Sequence, residues 1–385
     1  MIMKYYNTYF FLSLILGTTL TQGATRVVTD SNAQTEINSA NNGDIIRFMP
    51  GTYPKISVVE KDLVFKHHGS VKANVFEIEA NGSKLDLIDF SAAEVFANKS
   101  LNRTSRLRVV RGKYGAITSD ANNTILAYST LNYLKLTDSG IITGNEFHGS
   151  SQFFSQVSVG GGIGIDINAT SANVMINNNY IHDYKLDDSN NLYNQCIGIR
   201  IAGFPKVDIL NNYIKNCFDS NYLGSEYTVG MGIYVLNSLD VRIMGNIIQE
   251  CYIKNGATGI GHATIYAPLG VLVQNNLFYK IYSGSTTAVG GGVLRTDSLF
   301  GDPKFDTSGE LTLASDSPCI DAGPPDPQYN DRDGSRNDIG MFGGHNFIPD
   351  GRTTNKPIVL GMDIAPIAVP TGGTVTIEST GATVK

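Results

Sequence analysis

The stretches VDILNNYI (207–214), VRIMGNII (241–248) and VLVQNNLF (271–278) decide the fold. Each alternates apolar and polar residues, breaks at Asn or Gly followed by Asn, and resumes with an apolar pair. A period of two marks a strand with one buried face, whereas a helix repeats every 3.6 residues. The asparagine keeps step: Asn145, Asn179, Asn212, Asn246 and Asn276 lie 34, 33, 34 and 30 residues apart. A second marker keeps the same pace, with Gly164 in GIDI, Gly198 in GIRI and Gly232 in GIYV at 34 and 34 residues. One such repeat has too little apolar surface to fold alone, but stacked repeats bury a continuous core. Stacking puts equivalent residues about 4.8 Å apart, the strand spacing of a sheet. An Asn amide at each corner then donates to one neighbour and accepts from the other, so these asparagines are structural.

Two further segments carry a resemblance. NSANNGDIIRFMPGTYP (38–54) resembles the opening coil of right-handed parallel β-helix proteins of the pectate-lyase-like superfamily. DPKFDTSGELTLASDSPCIDAG with DRDGSRNDIGMFGG (302–344) resembles the closing segment of many bacterial extracellular β-helix proteins. The resemblance implies fold more than chemistry, because that superfamily includes polysaccharide lyases, glycoside hydrolases, epimerases, adhesins and tailspikes. The expected chain is all-β: a single right-handed parallel β-helix solenoid over 25–300, its closing segment over 301–348, and a small β appendage or linker over 349–385. Residues 1–24 read as a signal peptide. Lys4 is its positive region, Phe10 to Leu20 its apolar run, and Thr21 to Ala24 supply small residues for cleavage. The apolar run is shorter than the ~20 residues a membrane span needs. A secreted or surface-attached protein, with no membrane span and monomeric, is the expectation.

Composition narrows the partners. The formal charge is −6 and only 17 % of residues are charged, which argues against a nucleic-acid binder with a general basic surface. An anionic polymer would need a local cationic patch. An extracellular polysaccharide is the expected partner.

Strand parity supplies such a patch. With Ile165 and Ile167 inward, Asp166 points out; the same parity exposes Arg200, Tyr234 and Tyr266, and extends to Lys135 and Arg295. The row Lys135, Asp166, Arg200, Tyr234, Tyr266, Arg295 would then present one side chain per coil. Tyr rings stack on sugar faces, and a guanidinium matches a carboxylate in two bonds. For β-elimination from a uronate, Arg200 would neutralise the carboxylate, with Tyr234 or Lys254 near the proton to be removed. The alternative for Asp166 and Arg200 is a cross-strand ion pair in a surface ladder.

Loops at 182–196, 216–230, 250–262 and 279–291 share one position in the repeat and would wall a groove. They carry His182, Lys185, Asp187, Asp188, Glu226, Lys254 and His262. His182 and His262 are counted with the substrate-binding row. A carboxylate pair such as Asp187 with Glu226 would instead suit hydrolysis. A non-catalytic adhesive solenoid is the reading from another class.

No metal site is assigned, and calcium is the one cofactor with any fragment in its favour. Asp331, Asp333 and Gly334 form D-x-D-G, yet the rest of a calcium loop is missing. The rival is an ion-paired cap of Asp321, Asp333, Arg336 and Asp338. Cys217 and Cys251 each follow their Asn by five residues, so adjacent coils bring them together as a disulfide or as an inward thiol pair. Cys196 and Cys319 have no evident partner.

Overall fold

Inward residues of each rung stack on their equivalents one coil later, and every rung pairs in parallel with the next. The computed structural model describes residues 23–99, 104–149, 162–186, 195–219, 229–253, 263–281, 287–293, 295–306 and 311–348, and the two strands Ile358–Ala365 and Thr376–Ala382. The strands form a 12-stranded sheet A, a 16-stranded sheet B and a three-stranded sheet C, all parallel between successive coils. This is a parallel β-helix. One ladder of sheet A runs through Ile142, Ile176, Ile209, Ile243 and Val273, all fully buried. Each such side chain contributes roughly 1.5–3 kcal/mol by leaving water.

The corner between sheets A and B confirms the structural role of the asparagines. Asn145, Asn179, Asn212 and Asn246 each donate through Nδ2 to Oδ1 of the next member, at 2.9–3.0 Å, ending on Asn276. Each Oδ1 also accepts the backbone N–H of the preceding ladder residue, as Asn212 does from Asn179 at 3.1 Å. The residue before the asparagine turns left-handed, with φ of 55° at Asn178, 52° at Asn211 and 67° at Gly245. That explains the Asn or Gly at this place, since both tolerate that region.

The glycine marker has a packing cause. A Cβ on Gly164 would lie 2.8 Å from the Gly198 carbonyl and 3.0 Å from the buried Tyr184 ring. Register skips this residue: Ile163 pairs with Ile197, and Ile165 with Ile199.

Three features depart from expectation. A short helix, Ala33–Ser39, covers the first coil and buries Ala33 and Ile37. Coil length is not uniform. Along Phe65, Leu87, Val109, Leu126 and Ile142 the steps are 22, 22, 17 and 16 residues; along Ile142, Ile176, Ile209, Ile243 and Val273 they are 34, 33, 34 and 30.

The third departure is the closing segment, which runs back along the side of the solenoid. Asn178 donates to the carbonyls of Met341 and Gly343, Asn211 to Asp338, and Gly340 to the Gly245 carbonyl. Cys319 and Ile339 pack on Tyr213, Ile247 and Leu277. The expected ion-paired cap is corrected to a hydrogen-bonded strap. Arg336 donates to the Gly323 carbonyl, Asp331 accepts N–H groups of Asp338 and Gly344, and Asp338 accepts that of Asp321. Those carboxylates anchor turns and do not converge as a calcium loop. The strands Ile358–Ala365 and Thr376–Ala382 form an antiparallel hairpin. All four cysteines are buried thiols, so Cys217 and Cys251 take the inward-pair alternative.

Candidate functional site

Parity placed most of the outward row correctly. On sheet B, Lys135 lies beside Asp166, Asp166 beside Arg200, Arg200 beside Tyr234, and Tyr234 beside Tyr266. The next place belongs to Gly290, not Arg295. Arg295 sits on sheet A beside Val273, with its guanidinium 4.3 Å from the Phe300 ring centroid. The last coil is shorter than the others, so counting a full repeat onward reaches the wrong sheet.

The row has two halves. Arg200 clasps Asp166 with two bonds, Nε to Oδ1 at 2.9 Å and Nη2 to Oδ2 at 3.0 Å. Asp166 is only 3 % exposed, so the guanidinium covers it. The ion-pair alternative is the one observed, and the positive charge of Arg200 is largely spent on Asp166. Tyr234 and Tyr266 follow as a half-buried aromatic pair, edge to face at 5.6 Å. With Tyr133 they pack on Ile163, Ile197 and Met231, an apolar cluster separate from the main core. Burial pushes the Tyr234 phenol up, Tyr266 adds to that, and Arg200 opposes it only weakly. The expected lowering of Tyr234 by Arg200 is therefore corrected: desolvation outweighs the neighbouring cation. Lys135 has no ion-pair partner among the described residues.

The loop candidates divide. Lys254, His262, Asp187, Asp188 and Glu226 lie outside the described residues. His182 is not a loop residue: it ends the strand Tyr180–His182, buried, with its ring stacked on Tyr180 at 4.0 Å. Lys185 holds Asp183 Oδ1 at 2.8 Å.

Two features escaped sequence reading. One is a cavity of about 570 Å³ between sheet A and the strap, lined by Thr143, Asn177, Asp208, Arg242, Tyr329 and Arg332 among others. Thr143 Oγ1 and Asn177 Oδ1 are buried there without a hydrogen-bond partner. Its walls come from residues more than 100 apart in sequence, and the direction of the strap has no sequence signal. The other is a convergence of His148, His182 and Asp183. His148 and His182 are 34 residues apart, one repeat, and that spacing was the available signal.

No family model matches the chain, and no curated protein matches it. Among solved structures, the crystal structure of pectate lyase Pel9A aligns with 85 % of this chain and 98 % of that one, at 11 % identity and a TM-score of 0.36.

Proposed function

We propose that this chain is an exported carbohydrate-binding β-helix, and that its glycan lies across the coils on the row Lys135, Asp166, Arg200, Tyr234 and Tyr266. The observation that carries the reading is the pairing, in register on neighbouring coils, of a half-buried tyrosine pair with a clasped carboxylate–guanidinium pair. Tyrosine faces take up sugar C–H surfaces, while Asp166 and Arg200 retain hydrogen-bonding capacity for hydroxyls. Side chains held by an ordered ladder bind at low entropic cost.

A second reading, polysaccharide lyase, draws on Lys135. It is a cation without a carboxylate partner among the described residues, next to Asp166, and suits a uronate carboxylate better than Arg200 does. Fold alone does not decide between binding and cleavage.

The test is affinity gel electrophoresis of the intact chain against neutral and uronate polymers, with parallel absorbance readings for unsaturated uronates. Retardation by at least one polymer is the expected result. Free migration in every gel would overturn the proposal. An absorbance rise that vanishes in Lys135→Ala adds lyase activity to it.

A further inference from the structure

The geometry points to a site for a divalent transition metal such as zinc, held by His148 Nε2, His182 Nδ1 and Asp183 Oδ2. These atoms lie within 4.8 Å of one another, and Asp183 Oδ2 is 2.8 Å from His182 and 3.9 Å from His148. Metal–ligand bonds of about 2.0–2.2 Å to imidazole nitrogen and carboxylate oxygen span a triangle of this size after small side-chain rotations.

The surroundings are arranged as a metal site requires. His182 Nε2 faces Glu146 Oε1 at 3.3 Å. With the Nε2–H given to Glu146, a neutral imidazole turns a lone pair from Nδ1 toward Asp183 Oδ2. Two lone pairs then face each other at 2.8 Å, and a cation between them relieves that contact. A carboxylate on the far nitrogen is also what fixes the ring and raises its basicity as a ligand. The other oxygen of Asp183 is held by Lys185 Nζ at 2.8 Å and Asn216 Nδ2 at 2.9 Å, which leaves Oδ2 aimed inward. The His182 ring is locked by its stack on Tyr180.

Two imidazoles and one carboxylate select a borderline metal, whereas calcium takes six to eight oxygens. Three protein ligands leave a fourth position free. The His148 side chain is 47 % exposed, so that position faces solvent. The strand Thr130–Leu136 joins this cluster to the glycan row. Its start pairs with Glu146 and Phe147, its end with Ile165 to Ile167, and its Asn132 amide donates to the His148 carbonyl. Asn132 and Lys135 are three residues apart, about 10 Å along a strand.

The experiment is titration calorimetry of the untagged full chain with zinc chloride, with calcium chloride as a control. Substitution by cobalt gives a visible-absorption readout of coordination. One zinc per chain is expected, with at least a tenfold loss of affinity in both His148→Ala and Asp183→Asn. Glu146→Gln, which keeps the side-chain shape, is expected to weaken uptake about tenfold. His148 is exposed at the end of a strand, and an unchanged thermal melt of His148→Ala separates lost ligation from lost folding. Absence of stoichiometric zinc uptake, uptake that survives His148→Ala, or calcium binding of equal strength at these residues would each overturn the assignment.

Discussion

The coils before residue 142 and those after it share one continuous ladder but spend their residues differently. Short coils step by 16–22 residues from Phe65 to Ile142, and their outward side chains neutralise one another. Lys55 bridges Glu77 and Glu79, and Arg106 pairs with Asp86. Long coils step by 30–34 residues. The added length makes sheet C, with strands Lys185–Leu186, Phe218–Asp219 and Tyr252–Ile253. It also accompanies the asparagine corner, the tyrosine pair and the histidine cluster. Length per coil thus separates a part that only stacks from a part with corners and faces on which a ligand can be held.

The largest expected contrast lies at the corners. Asn212 makes bonds to Asn246, Ile176 and Leu210, and accepts from Asn179. Asn212→Leu has a similar volume but leaves those buried groups unpaired, and is expected to cost about 3–5 kcal/mol in urea unfolding. Ser83 serves a short-coil corner through bonds to Val58, Asn81 and Lys61, and Ser83→Ala is expected to cost about 1 kcal/mol. Equal costs would erase the contrast.

Acid should pull the two regions apart. Burial lowers His67 from 6.5 to about 4, in a short coil where its Nδ1 accepts the Ala73 N–H. Between pH 6.5 and 4 the unfolded chain takes up this proton and the folded chain does not. Falling pH therefore removes stability there, about 2–3 kcal/mol by pH 4. Asp338 in the strap moves the other way, raised by burial from 3.8 to about 6. Between pH 6 and 4 the folded chain holds the extra proton, so falling pH stabilises the strap. Hydrogen exchange at pH 7 and pH 5 is expected to show faster opening around residues 62–98 and slower opening around 319–344. His67→Phe, which keeps the stack on Phe90, should abolish the first change and Asp338→Asn the second. Shifts of the same sign in both regions would contradict the assignment.

The smallest stability contrast concerns ion pairs. Arg200→Ala uncovers the buried Asp166 carboxylate and is expected to cost about 2 kcal/mol, less than a fully buried pair because Arg200 is partly solvated. Lys55 is well exposed, and Lys55→Ala is expected to leave the unfolding midpoint unchanged.

What the sequence made legible follows from periodicity. Asn145 to Asn276 recur because each amide must meet the next, and Gly164, Gly198 and Gly232 recur because a Cβ has no room. Such constraints repeat once per coil and therefore show. The short coils carry no comparable marker, so their changed length stayed hidden. The order from Lys135 to Tyr266 was readable from parity, whereas Arg295 was misplaced where the last coil shortens. The clasp of Arg200 on Asp166 stood as one of two alternatives, since parity gives direction but not which partner a guanidinium takes. The strap's course depends on contacts such as Asn211 with Asp338, 127 residues apart, and no local pattern encodes them. His182 was singled out in the sequence, but its partner His148 was not, because two exposed-parity histidines one repeat apart resemble ordinary surface residues until Asp183 turns beside them.

The most direct test of the glycan row is the dissociation constant of the intact chain for whichever polymer retards it, compared with Tyr234→Ala/Tyr266→Ala and with Phe96→Ala. Phe96 lies on the same outward ladder, two coils before Lys135. At least a tenfold weakening in the double tyrosine variant, with Phe96→Ala unchanged, is the predicted result. Equal affinity in all three proteins would place the glycan elsewhere and contradict the account.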